Sequence, residues 1–255
     1  TCGFVLSNFA VAIILSKRNT FLRCESIIQY VFYCVNTQFT PRNVWYTGSM
    51  NIYCVRHGQT EYNASNSYQP LTSDLSQKGR EQAEFVANRF KDINIDIILS
   101  SHLKRAVHTA EIINKKLKKE HIQIEDLKEC KRPSLLIGKS KNDPFSLQII
   151  ETLDQHAEEE TWHHSDEENF FDVKTRGLRA LDLLSKRSEE NILVITHGEF
   201  LRVLMSLILI GEKLTWPEYK HIQFRLKTTN TGVTVCHVNE KGYRILTWND
   251  HAHLP

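Results

Sequence analysis

The alternation of apolar and polar positions changes character near residue 50. Before it, an apolar stretch from Phe4 to Leu15 is broken by Ser7 and Asn8, and a second patch from Ile27 to Val35 shows no clear period. Beyond it the text becomes regular. Asn51–Val55 and Ile95–Leu99 are short runs rich in strand formers, and Asn191–Thr196 is a continuous β-branched run bounded by Gly198. Ala83, Val86, Ala87 and Phe90 recur at helical spacing behind Ser76, a candidate N-cap. Ala106, Ala110, Ile113 and Leu117 share one face of a helix expected over about 103–119. His121–Ile124 reads as a short strand, and the polar stretch 125–143 has little periodicity. Further helices are expected near 144–157 and 167–187 and over about 199–210. Gly232–Val238 and Tyr243–Trp248 read as two strands joined by a turn at Glu240-Lys241-Gly242.

Strands alternating with helices predict an α/β fold: a three-layer α/β/α sandwich with a mostly parallel sheet and an antiparallel edge made by the closing strand pair. No repeat or linker divides residues 50–255, so they are expected to form one domain. In such sheets ligands bind beyond the carboxyl ends of the strands. That rule brings together the segments after Val55, after Leu99 and after Thr196.

Composition narrows the class. Over 255 residues, 32 Lys and Arg against 30 Asp and Glu give a net charge of +2, so nothing in the charge balance argues for nucleic acid or an anionic membrane as a bulk electrostatic partner. Residues 1–49 hold only Lys17, Arg18, Arg23, Arg42 and Glu25 as charges. Their apolar stretch is shorter than the ~20 residues of a membrane-spanning helix, and its basic residues follow the run instead of preceding it as in a signal peptide. Three readings of this leader stay open: upstream sequence joined to a protein that starts at Met50, an anchor, or a packing extension. Six cysteines without a CxxC pair point to a reduced, cytoplasmic compartment and to no structural zinc.

The expected strand ends carry reactive residues. Arg56-His57-Gly58-Gln59-Thr60-Glu61-Tyr62-Asn63 follows the first, Ser100-Ser101-His102-Leu103-Lys104-Arg105 the second, and His197-Gly198-Glu199 the strong late strand. Arginine is always charged and forked, which suits phosphate oxygens, and histidine is a nucleophile at neutral pH. Gly58 and Gly198 are expected to let backbone approach a ligand, with helix amides behind them as donors.

Arg56-His57-Gly58 after an N-terminal strand, Ser100…Leu103-x-Arg105-Ala106-x-x-Thr109-Ala110, and Val194-Ile-Thr-His197-Gly198 together resemble the histidine phosphatase superfamily, the phosphoglycerate mutase-like enzymes. Leu75-Ser-Gln-Lys-Gly-Arg-Glu-Gln-Ala83 is similar to that family's first helix. The resemblance covers about 50–255 and none of the leader. It implies that His57 attacks phosphorus and becomes a phosphohistidine. Arg56, Arg105 and a protonated His197 would hold the phosphoryl oxygens, with Gly198 beside them, and Asn63 would add a neutral donor. Glu129, in Leu127-Lys-Glu-Cys-Lys-Arg-Pro-Ser134, would protonate the leaving oxygen and then activate water. Glu125 and Asp126 compete with it in the same loop. The arginines would supply the positive charge, so neither metal nor cofactor is implied.

Mutases of this family resemble each other around the acid through a longer stretch with a Tyr-Gly element. The segment Glu129 to Ser140 departs from that, which favours a phosphatase acting on a small phosphorylated metabolite or sugar. A phosphoglycerate mutase-type phosphotransferase and a non-catalytic phospho-ligand binding module remain as alternatives, and a homodimer is left open. Residues 131–165 are expected to cap the pocket, with Lys131, Arg132, Lys139 and Lys141 available to a second anionic group. His163-His164 beside Asp166, Glu167 and Glu168 reads as the start of a helix with acidic residues in its first turn, not as a metal site. His251 and His253 read as packing or pocket-lip residues.

Overall fold

The computed structural model describes residues 49–255. The expectations for the leader fall on residues 1–48, outside that range. Among the described residues the strands are β1 (Met50–Arg56), β2 (Ile97–Ser100), β3 (Glu120–Gln123), β4 (Asn191–Thr196), β5 (Val233–Asn239) and β6 (Gly242–Asp250). The helices are α1 (Glu61–Ala64), α2 (Gln77–Phe90), α3 (Lys104–Leu117), α4 (Pro144–Gln155), α5 (Phe170–Ser185), α6 (Gly198–Ile210) and α7 (Trp216–Arg225).

The six strands form one sheet in the order β3-β2-β4-β1-β5-β6. β3, β2, β4 and β1 run parallel, and β5 and β6 add an antiparallel edge. Helices cover both faces, so the expected three-layer α/β/α architecture is the one observed. Side chains alternate accordingly. Ile52 and Cys54 of β1, Ile97 and Leu99 of β2, and Ile192 and Val194 of β4 join one core with Phe170 and Leu181 of α5 and Phe200 and Leu204 of α6. Val55, Ile98, Leu193 and Ile195 join the other, with Val86 and Phe90 of α2 and Ala106 and Ile113 of α3. Burial on both faces is why Asn191–Thr196 is apolar without a period of two.

β4 lies between β1 and β2. The chain leaves β1 for the face carrying α2, and leaves β4 for the opposite face carrying α6. Adjacent parallel strands whose following segments diverge open a crevice beyond their carboxyl ends. Arg56 and Thr196 sit opposite each other there, with Ser100 of β2 near Ile195.

The helices begin for local reasons. The Ser76 side chain accepts the Gly79 amide as the N-cap of α2. Asn169 and Asp172 form a reciprocal capping box on α5, so that helix starts three residues later than the acidic run predicted. Asp166, Glu167 and Glu168 therefore precede the helix instead of filling its first turn. α7 was not expected from periodicity. Thr215 and Glu218 cap it as a box with Pro217 in its first turn.

Candidate active site

Arg56 ends β1, and its surroundings include a loop that carried no chemical signal in the sequence, Thr228–Gly232. The Arg56 Nη1 donates to the Thr228 carbonyl at 2.8 Å, and the Thr231 amide donates to the Arg56 carbonyl at 2.9 Å. Its Nε is buried without a partner in the protein. A Cβ on Gly198 would stand 3.0 Å from that Nε and 2.9 Å from the Thr228 hydroxyl. A Cβ on Gly58 would lie 2.3 Å from the Gly79 carbonyl oxygen at the start of α2. Both glycines thus admit protein groups that build the pocket, where the sequence suggested close approach to a ligand.

His57 is fully buried at the end of β1. Its Nδ1 lies 2.7 Å from the Gly58 carbonyl oxygen. A carbonyl only accepts, so this contact places the proton on Nδ1 and leaves a lone pair on Nε2. Nε2 has no partner in the protein. Burial, then the charges of Arg105 and Arg56, push the imidazolium form of His57 well below the usual histidine range. The ring is therefore neutral at neutral pH, as a nucleophile must be.

His197 caps the start of α6, and its ring centroid is 5.1 Å from that of His57. Both of its nitrogens are buried without a protein partner. Burial and the charges of Arg105, His57 and Arg56 push it well below the usual range too. Without a bound anion, burial and the neighbouring charges favour the neutral ring; the expectation of a protonated His197 concerns the phosphate-bound site. The dianion of a phosphomonoester is the charge that would reverse the balance.

Arg105 stands in the first turn of α3 at 1% exposure. Its Nη1 donates to the Ser73 hydroxyl at 3.1 Å, and its Nε is unpartnered. Burial and the neighbouring Arg56 lower it to about 10, against the attraction of Glu129. It remains charged at neutral pH. Thr109, one turn along α3, accepts the Gly58 amide at 3.1 Å and so ties the His57 loop to this helix.

Asn63 lies in α1. Its Oδ1 accepts the Thr60 amide at 3.3 Å and the Asn230 side-chain amide at 3.2 Å. With the oxygen engaged, its NH2 group is the end left to donate elsewhere. Asn230 also donates to the His57 carbonyl at 2.9 Å. One amide therefore spans the candidate nucleophile's backbone and the candidate neutral donor.

Glu129 is the acid of the 125–129 loop that reaches the pocket. Its carboxylate accepts the Phe200 amide at 2.9 Å, the Glu199 amide at 3.3 Å and the Cys130 amide at 3.1 Å. The amides of the second and third residues of α6, Glu199 and Phe200, are thus occupied by Glu129. Asp126 is instead paired with Arg179 at 2.8 Å, and Glu125 is exposed with Lys128 at 3.4 Å. The Glu199 carboxylate pairs with Arg132 and accepts from Gln223 of α7 at 2.9 Å. Arg132 and its neighbours Arg202 and Lys141 hold it down to about 2, against burial.

A cavity opens over Arg105 and Glu129, with Tyr68, Arg132, Lys141 and Glu199 on its walls. The expected cap meets the 61–73 loop there. Gly138 and Tyr68, and Tyr68 and Lys139, exchange backbone hydrogen bonds at 2.8 and 3.0 Å. His163 lies apart, against Asp172 at 2.7 Å. His253 contacts the Thr231 hydroxyl at 3.1 Å, beside Asn230. Among the described residues no group of three or more His, Cys, Asp or Glu side chains is arranged to hold a metal ion.

Two buried histidines, the buried Arg105 and the half-buried Arg56 stand at the switch point of a doubly covered, mostly parallel sheet. A model of the histidine phosphatase superfamily (branch 1) matches residues 52–251, and the chain belongs to that superfamily. Its relatives include a metal-independent phosphoserine phosphatase of Arabidopsis thaliana, 30% identical over 211 residues that cover 80% of this chain and 82% of that protein. A Proteus mirabilis protein named "Probable phosphoglycerate mutase" is 27% identical, covering 78% of this chain and 87% of its own. A phosphoserine phosphatase of Entamoeba histolytica, solved in complex with phosphoserine, superposes with a TM-score of 0.65 at 25% identity, covering 81% of this chain and all of that one. The chain is a phosphatase or mutase of this phosphoglycerate mutase-like class.

Proposed function

We propose that residues 50–255 form a domain that hydrolyses phosphomonoesters without a metal, through a phosphohistidine on His57. The carrying observation is the contact of the His57 Nδ1 with the Gly58 carbonyl, which leaves the Nε2 lone pair among unpartnered guanidinium and imidazole nitrogens. Those nitrogens, on Arg56, Arg105 and His197, supply the positive charge that a transferring phosphoryl group requires. Nε2 attacks phosphorus as the ester P–O bond breaks, and the leaving oxygen takes a proton from Glu129. Glu129, now a carboxylate, takes a proton from water; the hydroxide attacks phosphorus, the P–N bond breaks, and phosphate and neutral His57 are released. Asn63 donates to the same oxygens.

In this reading residues 131–165 are the cap, and the substrate is a small phosphorylated molecule. The test is 4-nitrophenyl phosphate hydrolysis by the full chain, with and without a chelator, beside His57→Ala. Chelator-resistant turnover lost in the variant supports the reading. Turnover that the chelator abolishes, or that survives in His57→Ala, contradicts it.

A further inference from the structure

The two histidines after β6 part company in the structure. His251 is exposed, its Nδ1 2.9 Å from the Asn249 carbonyl oxygen. His253 is half-buried between α2 and the Thr228–Gly232 loop. Its Nε2 lies 3.1 Å from the Thr231 hydroxyl, and its Nδ1 faces Nη1 of Arg89 in a long contact of 3.5 Å. The Thr231 hydroxyl gives its one proton to the Asn230 carbonyl at 2.7 Å, so towards His253 it accepts. A guanidinium only donates, so Nδ1 accepts. Both neighbours therefore require the same neutral tautomer, with the proton on Nε2. Burial and the Arg89 charge push the ring down to about 4, which keeps it neutral. Arg89 is anchored in turn by Asp250 at 2.6 Å.

The end of β6 grips the other side of the same loop. The Asn249 Oδ1 accepts the Thr229 amide at 2.7 Å, and its NH2 group donates to the Thr229 hydroxyl at 3.2 Å. A Cβ on Gly232 would stand 2.1 Å from that Oδ1, so the glycine is what admits the Asn249 side chain. Between the two grips the backbone is strained. Thr231 has a φ of 58°, a left-handed conformation that a branched side chain rarely adopts. Such a residue persists where its surroundings over-determine it.

The inner side of this turn builds the phosphate floor. The Thr231 amide donates to the Arg56 carbonyl at 2.9 Å, and the Thr228 carbonyl accepts Nη1 of Arg56 at 2.8 Å. The Asn230 amide spans the His57 carbonyl and the Asn63 side chain. Neither Asn249 nor His253 lines the cavity over Arg105 and Glu129, so both reach the site only through the loop.

Resting on the phosphatase reading above, we infer that His253 is a positioning residue for phosphoryl transfer. Together with Asn249 it fixes, from outside the pocket, the 228–232 turn that fixes Arg56, His57 and Asn63. Losing its grip weakens the hold on a phosphoryl group whatever the leaving group, and leaves alone the acid Glu129, which hangs on the amides of α6.

The experiment measures inorganic phosphate binding to the full chain by calorimetry, which needs no turnover, beside kcat/KM for phenyl and 4-nitrophenyl phosphate well below the unfolding midpoint. His253→Phe fills the place of the ring without its hydrogen bonds. His253→Gln can still donate to Thr231 and accept from Arg89. His253→Phe should weaken phosphate about fivefold or more, the order expected for one lost hydrogen bond, and lower kcat/KM equally for both esters. His253→Gln should recover most of that loss. Combined with Asn230→Asp, the losses should not multiply, because His253 acts through the same loop. Arg89→Met, a surface change that removes the outer anchor of the ring, stands in should His253→Phe not fold, and should weaken phosphate in the same sense. Phosphate binding unchanged in the folded variant, losses that multiply with Asn230→Asp, or a His253→Gln no better than His253→Phe overturns the inference and leaves the phosphatase reading intact. A wild type that binds phosphate but turns over neither ester contradicts the phosphatase reading, and the phosphate arm still decides the role of His253. A wild type that binds no phosphate overturns both.

Discussion

The Nδ1 of His57 is held 2.7 Å from the carbonyl oxygen of Gly58, so the residue after the candidate nucleophile sets its tautomer. The same Gly58 is clamped from two other sides, its amide by the Thr109 hydroxyl and its α-carbon by the Gly79 carbonyl. The sequence Arg56-His57-Gly58 is therefore held as a unit: a charged residue, the imidazole proposed to attack, and a glycine whose missing side chain lets helix α2 close on the loop. Replacing Gly58 by Ala puts a carbon against a backbone atom that cannot swing aside. The variant should lose about 1–3 kcal/mol of stability in urea titrations, together with activity. A fully stable Gly58→Ala protein would show that α2 is not packed on this loop.

His57→Ala should reduce aryl phosphate turnover by at least about a thousandfold, since it removes the imidazole whose Nδ1 contact with the Gly58 carbonyl leaves Nε2 free to attack. Residual activity within tenfold of wild type would remove His57 from the nucleophile's role.

Glu129→Gln keeps the shape of the acid but cannot lend a proton or accept one from water. Alkyl phosphates, whose leaving oxygens need protonation, should lose more rate than 4-nitrophenyl phosphate, whose leaving group departs as an anion. The measurement is kcat/KM across leaving groups of graded basicity. Parallel losses along the whole series would count against the acid assignment.

The histidine pair also fixes how stability responds to acid. His57 and His197 are both pushed well below the usual range when folded, while in the unfolded chain they titrate near 6.5. Above that pH both states are neutral and the pair has no effect. As pH falls below about 6.5 the unfolded chain binds protons that the folded chain refuses, so stability declines. Urea midpoints at pH 7.5 and 5.5 check this. The double variant with Gln at both positions should lose less stability over that interval than wild type, and an equal loss would show that other groups carry the acid sensitivity.

Most of the fold was legible because the strands of a doubly covered sheet are nearly all apolar and their helices carry one apolar face. Ser76 marked the start of α2 for the same local reason that the structure shows. α7 escaped because Trp216–Arg225 has no sustained apolar period; its signal was the Thr215-x-x-Glu218 box, which lies in capping chemistry and not in hydrophobic pattern. The site was legible where strand ends met charged or nucleophilic side chains, at Arg56, His57, Arg105 and His197. It was not legible at Asn230, in a Thr-Thr-Asn-Thr-Gly run that reads only as a turn. Its place beside His57 and Asn63 comes from β5 pairing antiparallel with β1, which brings the start of β5 to the end of β1. Such a contact across 173 positions leaves no local trace.

Asn230 should therefore behave as a positioning residue. Asn230→Asp cannot donate to the His57 carbonyl or to Asn63, and should raise the inhibition constant for inorganic phosphate along with KM. Asn230→Ser, which retains one donor, should recover part of the loss. Phosphate binding unchanged in Asn230→Asp would reduce this contact to a structural tie.

The central claim is a covalent intermediate on one imidazole. Rapid alkaline quench during 4-nitrophenyl phosphate turnover, followed by mass spectrometry of the digested chain, tests it most directly. The account predicts one added phosphoryl group on the peptide containing His57, acid-labile, enriched in Glu129→Gln and absent from His57→Ala. Turnover with no phosphorylated peptide, or with the phosphoryl group on another residue, would contradict it.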